Sequence, residues 1–152
     1  MSIEKENESR WPDPALVEAR LADHEAWVKN LFDQLKEGED YGKVKGADKD
    51  CLFKPGQEKI ADALDIDYCP IEYQFIPIGT GIYVFCQVTA FDRKTKEWRG
   101  EGFGGGWIDG DMSGNRAAFQ ANKETKMPDK RAKTDCVINI GHLSAIFTQD
   151  ME

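Results

Sequence analysis

Two adjacent runs of β-branched and aromatic residues constrain the fold of this chain most strongly. They occupy residues 71–78 and 82–91, and the short segment GTG at 79–81 separates them. Runs of this kind, interrupted by glycine, predict two β-strands joined by a tight turn. A polar turn, DRKT at 92–95, then leads into a third predicted strand over about 97–103. Such short connections predict an antiparallel meander, which GGG at 104–106 and the loop to Gly114 close.

The residues after the meander predict a long helix over 115–140. Pro128 lies inside it, and proline lacks the backbone N–H that a helix interior uses. We therefore expect a break or kink near Met127 and a restart at Pro128. A short helix is also predicted before the meander, at about 56–65. The predicted class is α+β, with an antiparallel β-β-β-α core in which the three-stranded meander packs on the long C-terminal helix.

The N-terminal part of the chain predicts an additional amphipathic helix over 13–38. Asp13 is a suitable N-cap, and Gly38 ends an apolar pattern with helical spacing. Polar residues 38–50 predict a linker or exposed loop, and residues 143–147 a short apolar anchor. We expect residues 1–12 to be a disordered leader and residues 13–152 to form a single α+β domain.

Composition favours a cytoplasmic globular protein. Of the 152 residues, 40% are hydrophobic and 32% are charged, and no run approaches the roughly 18 apolar residues of a membrane span. Residues 1–10 are charged and lack the apolar segment of a secretory signal. The cysteines do not form a CxxC pair, so we expect buried thiols without a catalytic or metal role. They are Cys51, Cys69, Cys86 and Cys136.

The sequence offers no recognisable catalytic or metal-binding constellation. Neither His24 nor His142 has a partner residue at a spacing typical of a catalytic or metal-binding pair, and the cysteine spacing fits no zinc signature. A phosphate-binding loop at the glycine-rich residues 102–106 would need a following Lys-Ser/Thr or a βαβ unit, and close approach of another backbone explains these glycines better. We therefore expect a protein that is not an enzyme and that needs no cofactor or metal.

Positive charge is concentrated in one segment of an acidic chain. The formal net charge is −8, but residues 92–133 carry 10 Lys or Arg against 7 Asp or Glu. A basic helix stripe opposite a basic turn suits a groove that follows a phosphate backbone, although a solvated surface also explains such runs. Trp98 or Trp107 would add base stacking, while strand aromatics more often belong to a core. The cations are Arg93, Lys94, Lys96 and Arg99 in the turn and strand, and Lys123, Lys126, Lys130, Arg131 and Lys133 in the helix.

The order of these elements, together with several short motifs, resembles the single-strand DNA annealing proteins. These include phage recombination mediators and the eukaryotic radiation-repair annealing recombinase. The resemblance covers about residues 52–150. The motifs that carry it are LFKPGQEKIADAL at 52–64, WRGEGFG at 98–104, NKE at 122–124, KRAKTD at 130–135 and GHLSAIFTQD at 141–150.

The resemblance implies a protein that binds single-stranded DNA and anneals complementary strands in phage or mobile-element recombination, without nucleotide hydrolysis. It implies rings or helical filaments of identical subunits in a bacterial host cell, and a partner nuclease or single-strand binding protein. The helix cations would contact phosphates, and the turn cations would line the other wall of the groove. One departure is that CVI at 136–138 follows the Thr-Asp step, where the eukaryotic pattern has Lys-Arg.

Two other functions fit the sequence. One is a non-enzymatic phage protein that binds a host protein, where the acidic surface could mimic DNA. The other is a small-molecule-binding or hydrolytic domain that uses the glycine-rich loop, but no convergent polar residues support it. Single-stranded DNA binding that weakens with salt separates the annealing protein from the DNA mimic.

Overall fold

The computed structural model describes residues 10–69, 71–111 and 114–148. Contacts divide the chain into two compact units, Met1–Gln34 and Leu35–Glu152. The order of the elements is α1 (Pro14–Gln34), β1 (Tyr41–Gly42), β2 (Asp50–Leu52), α2 (Lys54–Ala63), β3 (Ile66–Tyr68), β4 (Glu72–Ile78), β5 (Gly81–Asp92), β6 (Trp98–Ile108), α3 (Gly114–Gly141) and β7 (Phe147–Thr148).

The first unit contains the predicted N-terminal helix. The Asp13 side chain accepts a hydrogen bond from the Ala15 N–H at 2.8 Å, which is the predicted N-cap. The helix ends at Gln34 rather than at Gly38, so the predicted end is four residues too late. Leu16 and Leu21 are exposed on α1. Of the predicted leader, residues 1–9 lie outside the described residues, and residues 10–12 are not helical.

The predicted meander is the centre of the second unit. Antiparallel β4 and β5 are joined by a two-residue turn, with Ile78 opposite Gly81, and β6 pairs along the other side of β5. The α+β class, with a long C-terminal helix packed on the strands, is confirmed. Two details differ from the prediction. The third strand continues through the glycines to Ile108, and β3 adds a fourth strand on the β4 side of β5.

Glycines on one face of β6 allow α3 to lie close against the sheet. A Cβ at Gly102 would overlap the backbone of Ala132, and a Cβ at Gly104 would overlap the carbonyl oxygen of Pro128. These positions are two apart in β6 and four apart in α3, the spacings at which residues share a face in a strand and in a helix. The expectation that these glycines permit close approach of another backbone is therefore confirmed.

Helix α3 is continuous through Pro128, so the predicted break and restart are absent. Pro128 is fully buried against the glycine face of β6. Proline removes one helical hydrogen bond, but apolar packing along a whole helix outweighs a local propensity. The close fit to the sheet therefore explains why the helix runs on.

A second, three-stranded sheet lies within the residues predicted to form a linker and a tail. Strand β2 pairs antiparallel with β1 and parallel with β7. The linker prediction is therefore wrong for β1 and for the start of β2, because strands of two or three residues leave no periodic signal. The apolar tail prediction is confirmed, since Leu143 and Phe147 are buried.

The buried Asp40 carboxylate fixes the turn before β1. It accepts hydrogen bonds from the Lys36 N–H at 2.8 Å and from Lys59 Nζ at 2.7 Å. Burial opposes ionisation of this carboxyl, but the bonds from Lys59 and Lys36 prevail and lower its pKa. Among the described residues, every helix is too short or too polar to cross a lipid bilayer.

Candidate nucleic-acid interface

Arg93, in the turn between β5 and β6, is surrounded by carboxylates. Its guanidinium lies 2.6 Å from Asp62, 3.0 Å from Asp67 and 3.9 Å from Asp65. The hydrogen bonds with Asp62 and then Asp67 raise the pKa of Arg93. One cation facing three anions leaves this part of the surface negative. Arg93 is therefore already engaged in ion pairs with Asp62, at the end of α2, and with Asp67, in β3.

The neighbouring turn cations are paired in the same way. Lys94 lies 3.7 Å from Asp65, and Arg99 lies 3.3 Å from Asp92. Asp92 also accepts hydrogen bonds from the Thr95 and Lys94 N–H groups, which lower its pKa. Lys96 is exposed and adopts a positive φ of 62°. Arg93 and Lys94 are thus offset by carboxylates about 30 positions away in sequence, and Arg99 by a carboxylate of the turn itself.

The lysines of the predicted helix group share one broad side of α3, and Arg131 lies on another. Lys133 lies 3.3 Å from Asp129 and sits over the Tyr68 ring at 5.5 Å, on the side of β3. Arg131 donates to the carbonyl oxygen of Gly105, on the side of the outer edge of β6. Lys126 is exposed. Because α3 is continuous, the 3-4-3 spacing keeps Lys123, Lys126, Lys130 and Lys133 within about 80° of one another around the helix, as predicted, whereas Arg131 lies outside this stripe.

Three cations lie in a line parallel to the axis of α3. Arg116, Lys123 and Lys130 are seven residues apart, which is close to two helical turns, so they stand about 10 Å apart along one side of the helix. Arg131 adjoins Lys130. We call these four residues the α3 strip. The prediction missed Arg116 because it followed the lysine-rich half of the helix, although the seven-residue spacing was visible in the sequence.

Two depressions follow the α3 strip. The first, of 470 Å³, lies on the N-terminal half of α3 and contains Arg116 and Lys123. The second, of 210 Å³, lies between α3 and the small sheet and contains Lys130 and Arg131. Phe119, which sequence reasoning also missed, lines the first depression and is 72% exposed. An extended anionic ligand could follow both depressions.

The two predicted groups of cations do not face each other across one groove. Gly106 of β6 meets Glu124, whereas Gly100, near the turn, meets Ile140. The strand therefore runs antiparallel to the helix, and 16 helical residues, or about 24 Å, separate these two contacts. Lys123 lies at one end of this span and the turn lies beyond the other. The predicted arrangement of two opposed basic walls is therefore not formed.

The face of the sheet opposite α3 carries aromatic side chains. Alternation along β5 and β6 places Tyr83, Phe85, Phe103 and Trp107 on this face, which we call the open face. The Phe85 and Phe103 rings stack at 5.6 Å, and Phe103 and Trp107 are 40% and 41% exposed. Trp98, at the start of β6, is exposed as well. Neither tryptophan of β6 is therefore a core residue.

Side chains of α3 reach around the outer edge of β6 and join the two surfaces. In addition to Arg131, Asp135 accepts a hydrogen bond from the Phe103 N–H at 2.9 Å, and Asn139 donates to the Glu101 carbonyl at 3.3 Å. These residues are four apart in α3 and bind strand residues that are two apart. Arg131 thus belongs to the α3 strip and also borders the open face between Phe103 and Trp107.

The cysteines show two environments. Burial raises the pKa of Cys86 to about 11 and that of Cys136 to about 12, so both thiols stay protonated at neutral pH. Cys51 is also buried, but Cys69 is exposed, which contradicts the expectation for that residue. In the described part of the chain, no group of three His, Cys, Asp or Glu is placed to hold a metal ion.

Comparison with known proteins does not assign the chain to a family. No protein-family model matches the sequence. A search of curated proteins also finds no match. The resemblance to the single-strand DNA annealing proteins therefore remains a prediction.

Proposed function

We propose that this protein binds single-stranded DNA along the α3 strip and anneals complementary strands in phage or mobile-element recombination. The observation that carries the proposal is the alignment of Arg116, Lys123 and Lys130, with Arg131 beside them, along two open depressions. Within the described part of the chain these four cations form no ion pair, in contrast to Arg93, Lys94 and Arg99.

Phosphate binding follows from simple electrostatics. Lysine and arginine that neutralise phosphates release condensed counterions, so the affinity falls as salt rises. Four cations in one subunit give weak binding at physiological salt. Repetition of the site in a homo-oligomer, a ring or a filament, would raise the affinity by multivalency. Annealing in this form requires neither nucleotide hydrolysis nor a cofactor.

The central test is DNA binding by a variant that carries both Lys123→Ala and Lys130→Ala. Fluorescence anisotropy with a labelled oligothymidine should show weaker binding and a salt slope that is shallower by about 1.4, since each lost single-strand contact removes about 0.7. A Lys43→Ala, Lys54→Ala variant is the matched control. It removes the same charge from lysines off α3 that pair with Asp50 and Glu58. An equal loss in both variants would contradict the α3 strip.

Annealing and assembly are separate readouts. The wild type should accelerate the pairing of complementary labelled strands without ATP, and light scattering should show more than one subunit per particle when DNA is present. A protein that stays monomeric with DNA and leaves the pairing rate unchanged would contradict the annealing function even if DNA binds.

A second candidate is a protein-binding function in which an acidic surface mimics DNA. The net charge of −8 favours it, as do the three carboxylates gathered around Arg93. The same anisotropy experiment separates the two functions. A wild-type protein that fails to bind single-stranded DNA even at low salt would overturn the annealing proposal and favour the acidic surface.

A further inference from the structure

We propose that the open face of the sheet is a stacking platform for the unpaired bases of the DNA strand that the α3 strip binds. This inference rests on the proposed function and deepens it. It assigns the phosphates to one surface, the bases to another, and the boundary between them to the outer edge of β6.

The aromatic side chains are arranged as a platform rather than as a core. Tyr83 is the register partner of Trp107 on the neighbouring strand, and Phe85 stacks with Phe103. Gly105, between Phe103 and Trp107, has no side chain, and a Cβ there would overlap the Tyr83 hydroxyl. The Tyr83 side chain therefore lies over Gly105 and continues the aromatic surface between the two exposed rings. Every base has a π-face, so exposed rings of this kind bind single strands without sequence preference.

The position of Arg131 connects the platform to the cations. Its guanidinium is held at the Gly105 carbonyl, at the edge of the open face between Phe103 and Trp107. A strand whose phosphates follow the α3 strip has the edge of β6 on one side, and its bases reach Phe103 and Trp107 by turning over that edge. The positive strip is complementary in charge to the phosphates, and the uncharged rings are suited to the bases.

The other end of the open face is acidic, which limits the platform. Glu101 lies on this face and is hydrogen-bonded to Gln87 at 3.0 Å, and the Asp135 carboxylate is held at the Phe103 N–H. These negative groups repel phosphates. The bound strand therefore leaves the face near Phe103 and does not continue toward the β5–β6 turn, where the arginines are already paired.

This arrangement predicts a preference for single-stranded over double-stranded DNA. Bases in a duplex are paired and stacked on their neighbours, so they cannot cover the rings unless they are flipped out of the duplex, which costs free energy. The α3 strip alone would bind both forms through their phosphates. The platform therefore supplies the selectivity, and its loss should bring the two affinities closer together.

The test uses Phe103→Leu and Trp107→Leu, which keep apolar volume but remove the π-face. Each should weaken oligothymidine binding by about 5- to 150-fold and leave the salt slope unchanged, because stacking releases no counterions. The Trp107→Phe variant should retain most of the affinity and lose the quenching of tryptophan fluorescence by DNA. Phe75→Leu is the matched control, since Phe75 is 56% exposed but lies on the opposite face of the sheet.

The outcomes separate this inference from the proposed function. Wild-type binding with unchanged affinity in both leucine variants would overturn the platform and leave the α3 strip standing. No wild-type binding at low salt would overturn both. Leucine variants that change the number of subunits but not the affinity would show that the open face is a contact between copies of this chain, and the platform would again be overturned.

Discussion

The two faces of the β5–β6 strand pair have opposite designs. The face under α3 carries small residues, with Val84, Cys86 and Val88 fully buried on β5 and glycine at alternate positions of β6. The open face carries aromatic rings on both strands. Small residues let a helix backbone approach the sheet, while large flat rings leave a surface that is useful to a ligand. The comparison indicates that one face specifies the fold and the other is available for binding.

The largest effect is expected from adding a single methyl group to each face in turn. Gly104→Ala should lower the free energy of unfolding by about 3 kcal/mol, because its Cβ would overlap the Pro128 carbonyl and α3 would have to shift. Gly105→Ala should cost about 1 kcal/mol, because its Cβ would meet only the far end of the Tyr83 side chain. Urea unfolding of the two variants measures the difference, and equal losses would contradict the contrast between the faces.

A smaller effect concerns the thiols of the covered face at alkaline pH. The folded-state pKa values of Cys86 and Cys136, about 11 and about 12, exceed the ordinary value of 9.0. The unfolded chain therefore loses these protons first, and stability that is complete below pH 9 should fall as the pH rises toward 11.

Replacement of both thiols tests this linkage. A Cys86→Ala, Cys136→Ala variant should show a weaker decline in stability between pH 9 and 11 than the wild type. The exposed Cys69 provides the control, since Cys69→Ala should leave the decline unchanged. Parallel curves for the wild type and the double variant would show that burial of these thiols does not contribute.

The smallest effect is expected at the edge where the two faces meet. Asp135→Ala should remove the acceptor of the Phe103 N–H and lower the free energy of unfolding by about 1 kcal/mol. Asp135→Asn keeps a side-chain oxygen that accepts the same bond and should lose less. Thermal unfolding measures both, and a larger loss in the asparagine variant would show that the charge of Asp135 matters more than its bond.

Local sequence signals predicted most of the fold. The runs at 71–78 and 82–91 gave the meander because strand period and turn residues are local properties. The small sheet was missed since its strands are too short to show a period. Pro128 misled the helix prediction because its buried contacts with β6 come from residues more than 20 positions away.

The candidate site was less predictable because charges act through partners that only the fold brings together. Arg93 and Asp62 are 31 positions apart, and nothing local in the sequence reveals their ion pair. The open face had a usable signal. Aromatic and small residues alternate from Tyr83 to Cys86, and an assignment of those positions to two faces would have separated the core from the exposed rings.

The contact between β6 and α3 joins two structural repeats of unequal length, which stay in register only over a short distance. Two strand residues advance about 6.7 Å and four helical residues about 6.0 Å, so the strand repeat and the helix repeat move out of register by about 0.7 Å with each repeat. The two repeats are in register at Gly102 and Gly104, where the glycines contact the helix backbone. At Gly106 and Gly100 the nearest atoms belong to the side chains of Glu124 and Ile140. Contact between the strand and the helix backbone is therefore confined to Gly102 and Gly104, and at Gly100 and Gly106 the absence of a strand side chain makes room for helix side chains instead.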